Sequence, residues 1–375
     1  MLEQSSAKNL ERRAVVAMSG GVDSSVAALL LRREGYELVG ISMQVWDYRK
    51  GGGSCSKGSC CAPDDFTDAR MVASKLEVPY YVFDFEETFK KEVIDKFVAA
   101  YSQGLTPNPC IDCNNKVKFR ELRDRAQAFG CGLLATGHYA KVEKRADGYH
   151  LMRPKDTDKD QTYFLYGLKQ SELAQTLFPL AELTKPEVRE IARENGLGTA
   201  EKAESQDICF VSSTVAEFIS KIGRKSRGAG PLMRSDGTVV GQHSGIESLT
   251  VGQRKGLGLG GRESPLYILE IDPARNAAIV GEKKELERAG FLIKECSWVS
   301  PGLLKEIGES TLPHRFEALA QVRHRHAGAR ASVEINSFGS AKVEFLENWC
   351  VVAPGQAAVL YDLQNREVLG GGTIV

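Results

Sequence analysis

The run Ser19-Gly20-Gly21-Val22-Asp23-Ser24-Ser25 joins small, hydroxylic and acidic residues between a short apolar segment and a helical one. Adjacent glycines let a backbone turn tightly and approach an anion without Cβ obstruction. At a helix N-terminus, unpaired N–H groups and the helix dipole attract phosphate. The hydroxyls of Ser19, Ser24 and Ser25 add further donors. The lysine of G-x-x-x-x-G-K-[ST] is missing, so this is not the P-loop of NTPases. A plain serine-rich helix cap is the competing reading. The strand–loop–helix context favours the anion site.

A second cluster is Thr106-Pro107-Asn108-Pro109-Cys110-Ile111-Asp112-Cys113-Asn114. Its prolines predict a rigid loop rather than a helix. The C-x-x-C spacing of Cys110 and Cys113 suits redox pairs, zinc or iron–sulfur chemistry. A third cysteine, Cys209, stands in Asp207-Ile208-Cys209-Phe210, and without a second C-x-x-C a four-cysteine zinc site is disfavoured. Two cysteines beside a bound nucleotide would supply a sulfur carrier and a releasing thiol. Both need a setting that favours thiolate. Cys55, Cys60 and Cys61 lie in a glycine- and serine-rich stretch that reads as a variable surface loop. The nine cysteines are an odd number, which argues against a structural disulfide framework.

The elements that must position these residues alternate. Apolar runs at 14–18, 38–43, 80–83 and 133–136 read as strands, and 24–34, 65–76, 87–101 and 119–129 read as helices. This β-α alternation predicts an α/β, doubly wound parallel sheet. After about residue 212 glycine rises and helical periodicity thins. Short apolar runs separated by turns follow, predicting a small β-barrel. Boundaries near 212 and 290 give domains 1–212, 213–289 and 290–375. In 323–326, arginine and histidine alternate, which on a strand would put Arg323 and Arg325 on one face. The basic run Lys221, Arg224, Lys225, Arg227 reads as a solvated loop. The chain carries 49 basic and 49 acidic residues, so bulk charge does not coat nucleic acid, although a local basic face remains open. No apolar run approaches the ~20 residues of a membrane span, and no leader pattern opens the chain, so a cytoplasmic protein is expected.

The phosphate loop resembles the S-G-G-x-D-S loop of the ATP pyrophosphatase (PP-loop) superfamily. Further segments extend the likeness over essentially the whole chain: T-P-N-P-C-I-D-C-N, A-T-G-H-Y-A, K-D-Q-T-Y-F-L, D-I-C-F, G-Q-R-K-G-L-G and A-P-G-Q-A-A-V-L-Y. Together they resemble the bacterial-type tRNA-specific 2-thiouridylases. The resemblance implies a PP-loop ATP pyrophosphatase domain, a small central tRNA-binding domain and a C-terminal β-barrel. It implies that ATP, with Mg²⁺, adenylates the C2 oxygen of the wobble uridine before sulfur replaces it. Ala17, Met18, Ser19, Gly20, Gly21, Val22, Asp23, Ser24 and Met43 would bind ATP, with Gly137 at the adenylate. Asn108, Pro109 and Cys110 would face the target base. Cys113, directly before the asparagine, would be the nucleophile and Cys209 the persulfide carrier. His138, Lys159, Asp160, Gln161, Arg323, His324, Arg325 and Gln356 would touch tRNA. The implied partners are tRNAs of the Lys, Glu and Gln types, with a cysteine desulfurase or sulfur-relay protein as donor. Many relatives carry aspartate where this chain has Cys110. Cys110, Cys113 and Cys209 could therefore hold an iron–sulfur cluster instead of working as a two-cysteine relay. An amidating PP-loop enzyme and a non-catalytic RNA-binding protein are the competing functions.

Overall fold

The computed structural model describes residues 12–46, 63–204, 208–211, 214–222, 227–260, 264–347 and 349–375. Cys55, Cys60, Cys61 and Asp207 lie outside them.

The first apolar runs form β1 (Arg13–Ala17) and β2 (Glu37–Gln44), and β3 (Tyr80–Asp84) follows. β4 (Leu133–Ala135) and β5 (Thr176–Leu177) complete a five-stranded sheet of order β3-β2-β1-β4-β5. Every neighbouring pair is parallel, with Ala14 opposite Leu38 on one side of β1 and Leu133 on the other. The chain thus builds outward from β1 in one direction, then returns to β1 and builds the other way. This reversal leaves a crevice at the carboxyl ends of β1 and β4, where doubly wound sheets place ligands. Helix α1 (Val22–Arg33) starts at that end, and its Val26, Ala27 and Leu31 are buried in the core with Val16 of β1. Helices α2 (Pro63–Lys75) and α3 (Lys185–Glu194) add Ala69, Val72, Val188 and Ala192 to the same core.

Glu86–Phe89, a π-helical turn Lys90–Ile94 and Asp95–Ser102 occupy the predicted helix at 87–101. The expected loop at 106–114 is corrected. Pro109 opens a helical turn, Pro109–Asp112, and a π-helix runs Cys113–Glu121 before the helix Leu122–Ala128. Proline at a first helical position sacrifices an N–H that has no partner anyway, so it starts a helix as readily as it ends one.

Besides two two-stranded sheets, Lys141–Arg145 with Gly148–Met152 and Glu287–Arg288 with Cys350–Val351, the remaining strands form two larger assemblies. β6 (Gly230–Met233), β7 (Val239–His243), β8 (Tyr267–Asp272) and β9 (Ala277–Gly281) make a sheet of order β8-β9-β6-β7. β10 (Gly290–Trp298), β11 (His314–Gln321), β12 (Ala329–Ser337), β13 (Ser340–Phe345), β14 (Ala357–Tyr361) and β15 (Val368–Ile374) close a barrel of order β10-β13-β12-β11-β14-β15. β15 pairs back onto β10, so no edge is left open. The barrel interior is filled by alternate residues such as Ala331, Val333 and Ile335 of β12.

The compact units do not follow chain order. One contains Met1–Val93, Cys110–Ser212 and Val299–Gly302; the other contains Ile94–Pro109, Ser213–Trp298 and Leu303–Val375. In the second unit the turn before β14 grips Thr106. The Thr106 N–H donates to the Pro354 carbonyl at 2.9 Å, and Gln356 Nε2 donates to the Thr106 carbonyl at 2.7 Å. Gly355 has φ +90°, and a Cβ there would lie 2.8 Å from Thr106 N.

Candidate active site

Gly20 and Gly21 do different work. Gly20 has φ +71°, and a Cβ built on it would lie 2.2 Å from the Asp65 carbonyl oxygen. It is demanded by the fold. Gly21 is extended (φ −93°, ψ 164°), and a Cβ there meets only Ser19 Oγ, at 3.5 Å. A Cβ there would fit within the fold. The hydroxyls are already set. Ser24 Oγ accepts from Ser19 N at 3.1 Å and donates to the Gly21 carbonyl at 3.1 Å, and Ser25 Oγ donates to the same carbonyl at 2.9 Å. Ser19 remains exposed. The loop is thus a preformed turn at the N-terminus of α1, closed by its own serine hydroxyls.

Gly137, two residues past β4, backs directly onto this loop. A Cβ there would lie 2.7 Å from both Asp23 C and Ser24 N. Only glycine lets the segment after β4 meet the first turn of α1 so closely. Beside the loop, Met18 N donates to the Ile41 carbonyl of β2 at 2.8 Å. Met43 lies in β2 opposite Phe83.

Asp23 is the hub. Lys185 Nζ lies 2.7 Å from each of its carboxylate oxygens, and the Tyr139 hydroxyl donates to Oδ1 at 2.9 Å. Lys185 also reaches Glu204 at 3.1 Å, and Lys159 donates to the other oxygen of Glu204 at 2.7 Å. A chain Asp23–Lys185–Glu204–Lys159 of alternating charge therefore leads away from the phosphate loop. It borders an open cleft of about 710 Å³, lined also by Asp156, Asp158 and Arg189. Burial alone would raise the Glu204 carboxyl; the ammonium groups of Lys159 and Lys185 outweigh it and hold it below the usual carboxylate range. Burial, and then the charge of Asp23, push the Tyr139 phenol far above its ordinary value, so it stays a donor. Gln161 fixes Tyr139 from both sides: its Oε1 accepts from Tyr139 N at 2.9 Å, and its N–H donates to the Tyr139 carbonyl at 3.0 Å.

Lys185 was not legible as a site residue. It stands in Thr184-Lys185-Pro186-Glu187, where Glu187 takes the Thr184 N–H at 2.6 Å in a capping box. The sequence signal is that of a helix start. Only the fold carries the lysine across 162 positions to Asp23.

Asp160 and His138 are both buried. Asp160 pairs with Arg153 and accepts from Thr162 N at 2.8 Å. His138 shares a hydrogen bond of 2.7 Å with Thr136 Oγ1 and lies beside the rings of Phe119 and Phe178. Burial first, and then the Lys118 ammonium, lower its pKa well below the ordinary value, so the imidazole is neutral. Cys110 is exposed, while Cys113 and Cys209 are half-buried. Phe210 anchors the Cys209 turn by an edge contact of 5.7 Å with Phe89. Among the described residues no three His, Cys, Asp or Glu side chains are grouped to hold a metal ion.

In the second unit, Asn108 and Pro109 follow the gripped Thr106. Arg323, His324 and Arg325 do not alternate on a strand as expected. They form the turn between β11 and β12, all exposed, with His326 N donating to the Arg323 carbonyl at 2.9 Å. Gly328, at φ +87°, is the turn signal that outweighs the alternation.

Three family models tile the chain. They are described as the tRNA methyl transferase HUP domain over residues 12–213, the tRNA methyl transferase PRC-barrel domain over 216–282, and the aminomethyltransferase beta-barrel domain over 288–374. Curated relatives match over nearly the full length. A tRNA-specific 2-thiouridylase MnmA of Geobacter metallireducens is 46% identical over 97% of this chain and 96% of its own. That of Geotalea uraniireducens is 46% identical over 98% and 96%. That of Chloroflexus aurantiacus is 44% identical over 96% and 97%.

The chain belongs to the tRNA-specific 2-thiouridylase family. The likeness read from its motifs thus extends to the whole sequence, and a 2-thiouridylase architecture of HUP domain, PRC-barrel domain and β-barrel accounts for the sheets described above.

Proposed function

We propose that this chain thiolates tRNA at C2 of the wobble uridine, using ATP to activate the oxygen it removes. The observation that carries the reading is the phosphate loop at the sheet's switch point, with Gly137 pressed against its Asp23–Ser24 backbone. The C2 oxygen attacks the α-phosphorus of ATP and pyrophosphate leaves. The loop N–H groups and Ser19 hold the departing phosphates. Mg²⁺ neutralises them when bound, and Asp23 is the hard oxygen donor at hand for it. Lys185 holds Asp23 in place through contacts of 2.7 Å to both carboxylate oxygens. The terminal sulfur of a persulfide on Cys209 then attacks C2, and AMP leaves with the former uridine oxygen. The Cys113 thiolate attacks Cys209 Sγ, freeing the thiocarbonyl and forming a Cys113–Cys209 disulfide, which an external thiol reduces. A desulfurase or relay protein recharges Cys209. The base must leave its stack to reach such a site, which suits an anticodon-loop nucleotide of Lys-, Glu- or Gln-type tRNA.

No helix among the described residues is long and apolar enough to cross a membrane. With tRNA and ATP as substrates, the cytoplasm is the compartment we assign. The test is to incubate the chain with ATP, Mg²⁺, a persulfide donor and unmodified tRNA. AMP, pyrophosphate and 2-thiouridine should appear in equal amounts. ATP cleavage that ignores tRNA, or AMP formation with ammonia but not sulfur incorporated, would overturn the reading.

A further inference from the structure

Trp349 is unlike the other tryptophans of the chain. Trp298 is buried and Trp46 is partly so, but Trp349 exposes 59% of its surface. Leaving an indole in water forgoes the burial that normally stabilises it, and its flat face stays open to a stacking partner.

Its surroundings hold cations on two exposed turns, beside Glu347 and the Glu287 that pairs opposite Val351. Trp349 precedes the short strand Cys350–Val351, and Cys350 Sγ lies 3.6 Å from His326 Nε2. Leu346 N donates to the Arg330 carbonyl at 3.0 Å. Leu346 and Cys350 are thus each tied to the β11–β12 connection or the strand it enters, and that connection carries exposed Arg323 and Arg325. On the other side, a Cβ on Gly252 would lie 3.4 Å from Val351 Cγ1. That contact brings up the turn with exposed Arg254 and Lys255. None of these four cations makes an ion pair with a described carboxylate, in a chain whose charges sum to zero. An unburied indole with unpaired cations on neighbouring turns is a composition that suits an unpaired nucleotide: the ring stacks on the base and the cations meet the phosphates.

We propose that Trp349 is a base-stacking platform for an unpaired nucleotide of the tRNA, with Arg323, Arg325, Arg254 and Lys255 on the flanking phosphates. This rests on the reading that tRNA is the substrate, and it adds a stacked base remote in sequence from the phosphate loop and the cysteines. Trp349 fluorescence reports it directly. Titrating full-length protein with unmodified tRNA should quench emission in the wild type but not in Trp349→Phe. Filter binding should show Trp349→Phe within about threefold of wild type and Trp349→Ala weaker by roughly 5- to 100-fold. The salt slope of Trp349→Ala should equal wild type, while Arg323→Ala with Arg325→Ala should flatten it. A blunt RNA duplex should not quench. If wild type binds and thiolates tRNA while Trp349→Ala binds equally well, the platform is wrong and the enzyme reading stands. Loss in Trp349→Phe as large as in Trp349→Ala refutes stacking. Quenching by a protein partner but not by tRNA would make this a protein-docking face instead. Wild type that binds no tRNA overturns both readings.

Discussion

Replacing Lys185 with methionine keeps the apolar stem and deletes one charge. Its ammonium sits 2.7 Å from both oxygens of Asp23 and 3.1 Å from Glu204, and its side chain is 8% exposed. Removing one partner of a buried pair leaves the other charge uncompensated, at about 3–5 kcal/mol. Asp23 and Glu204 keep 32% and 25% of their side-chain surface, so water relieves part of this and the lower end, about 3 kcal/mol, applies. At roughly 2–4 °C per kcal/mol for a unit of this size, the melting transition should fall by about 6–12 °C. Asp23→Asn in the same chain removes the stranded carboxylate. The double variant should therefore recover at least about 1 kcal/mol relative to the sum of the singles. Urea unfolding of the four proteins measures the cycle, and tRNA-dependent AMP formation should be lost in all three variants. Additive stabilities, or a Lys185→Met protein within 1 kcal/mol of wild type, would refute the assignment of Lys185 as the counter-ion that organises the loop.

Gly20→Ala should destabilise the protein by at least about 1–2 kcal/mol, since its left-handed φ and the Asp65 backbone leave no room for Cβ. Gly21→Ala should melt like wild type yet bind ATP weakly, so equal melting losses in both would contradict the division of labour between the glycines. Cys113→Ser and Cys209→Ser should abolish thiolation with ATP binding intact, whereas Cys110→Ser should retain appreciable activity; loss of bound iron together with activity in Cys110→Ser would point to a cluster instead. His138 titrates far below its unfolded value, so the unfolded chain binds a proton that the folded chain refuses. Its contribution is complete above about pH 6.5 and declines as pH falls, by up to about 1.4 kcal/mol per unit. His138→Asn should flatten the stability–pH curve between about pH 6.5 and 5, as urea midpoints would show.

Local signals carried the phosphate loop. Strand, paired glycines and helix lie within twenty residues of one another, and each constrains its neighbour, so sequence alone was enough. The barrel was readable for a related reason: its strands are short apolar runs set apart by turn residues, as at Ala357–Tyr361. What escaped were features made by long-range closure or by competing local rules. Lys185 looks like a helix-start residue because its capping box is complete without reference to Asp23. Arg323 and Arg325 looked like strand residues because alternation is scored before the Gly328 turn is known to close beneath them. Pro109 looked like a helix stop and is a helix start.

The grip on Thr106 sets an order of events during synthesis. Its amide and carbonyl emerge from the ribosome early, but Pro354 and Gln356 follow about 250 positions later. At roughly 5–20 residues per second, they arrive about 12–50 s afterwards. For that interval the stretch leading to Cys110 has none of its native partners in the turn before β14. A nascent chain halted before residue 354 can complete the sheet around the phosphate loop while the approach to its cysteines stays unfixed.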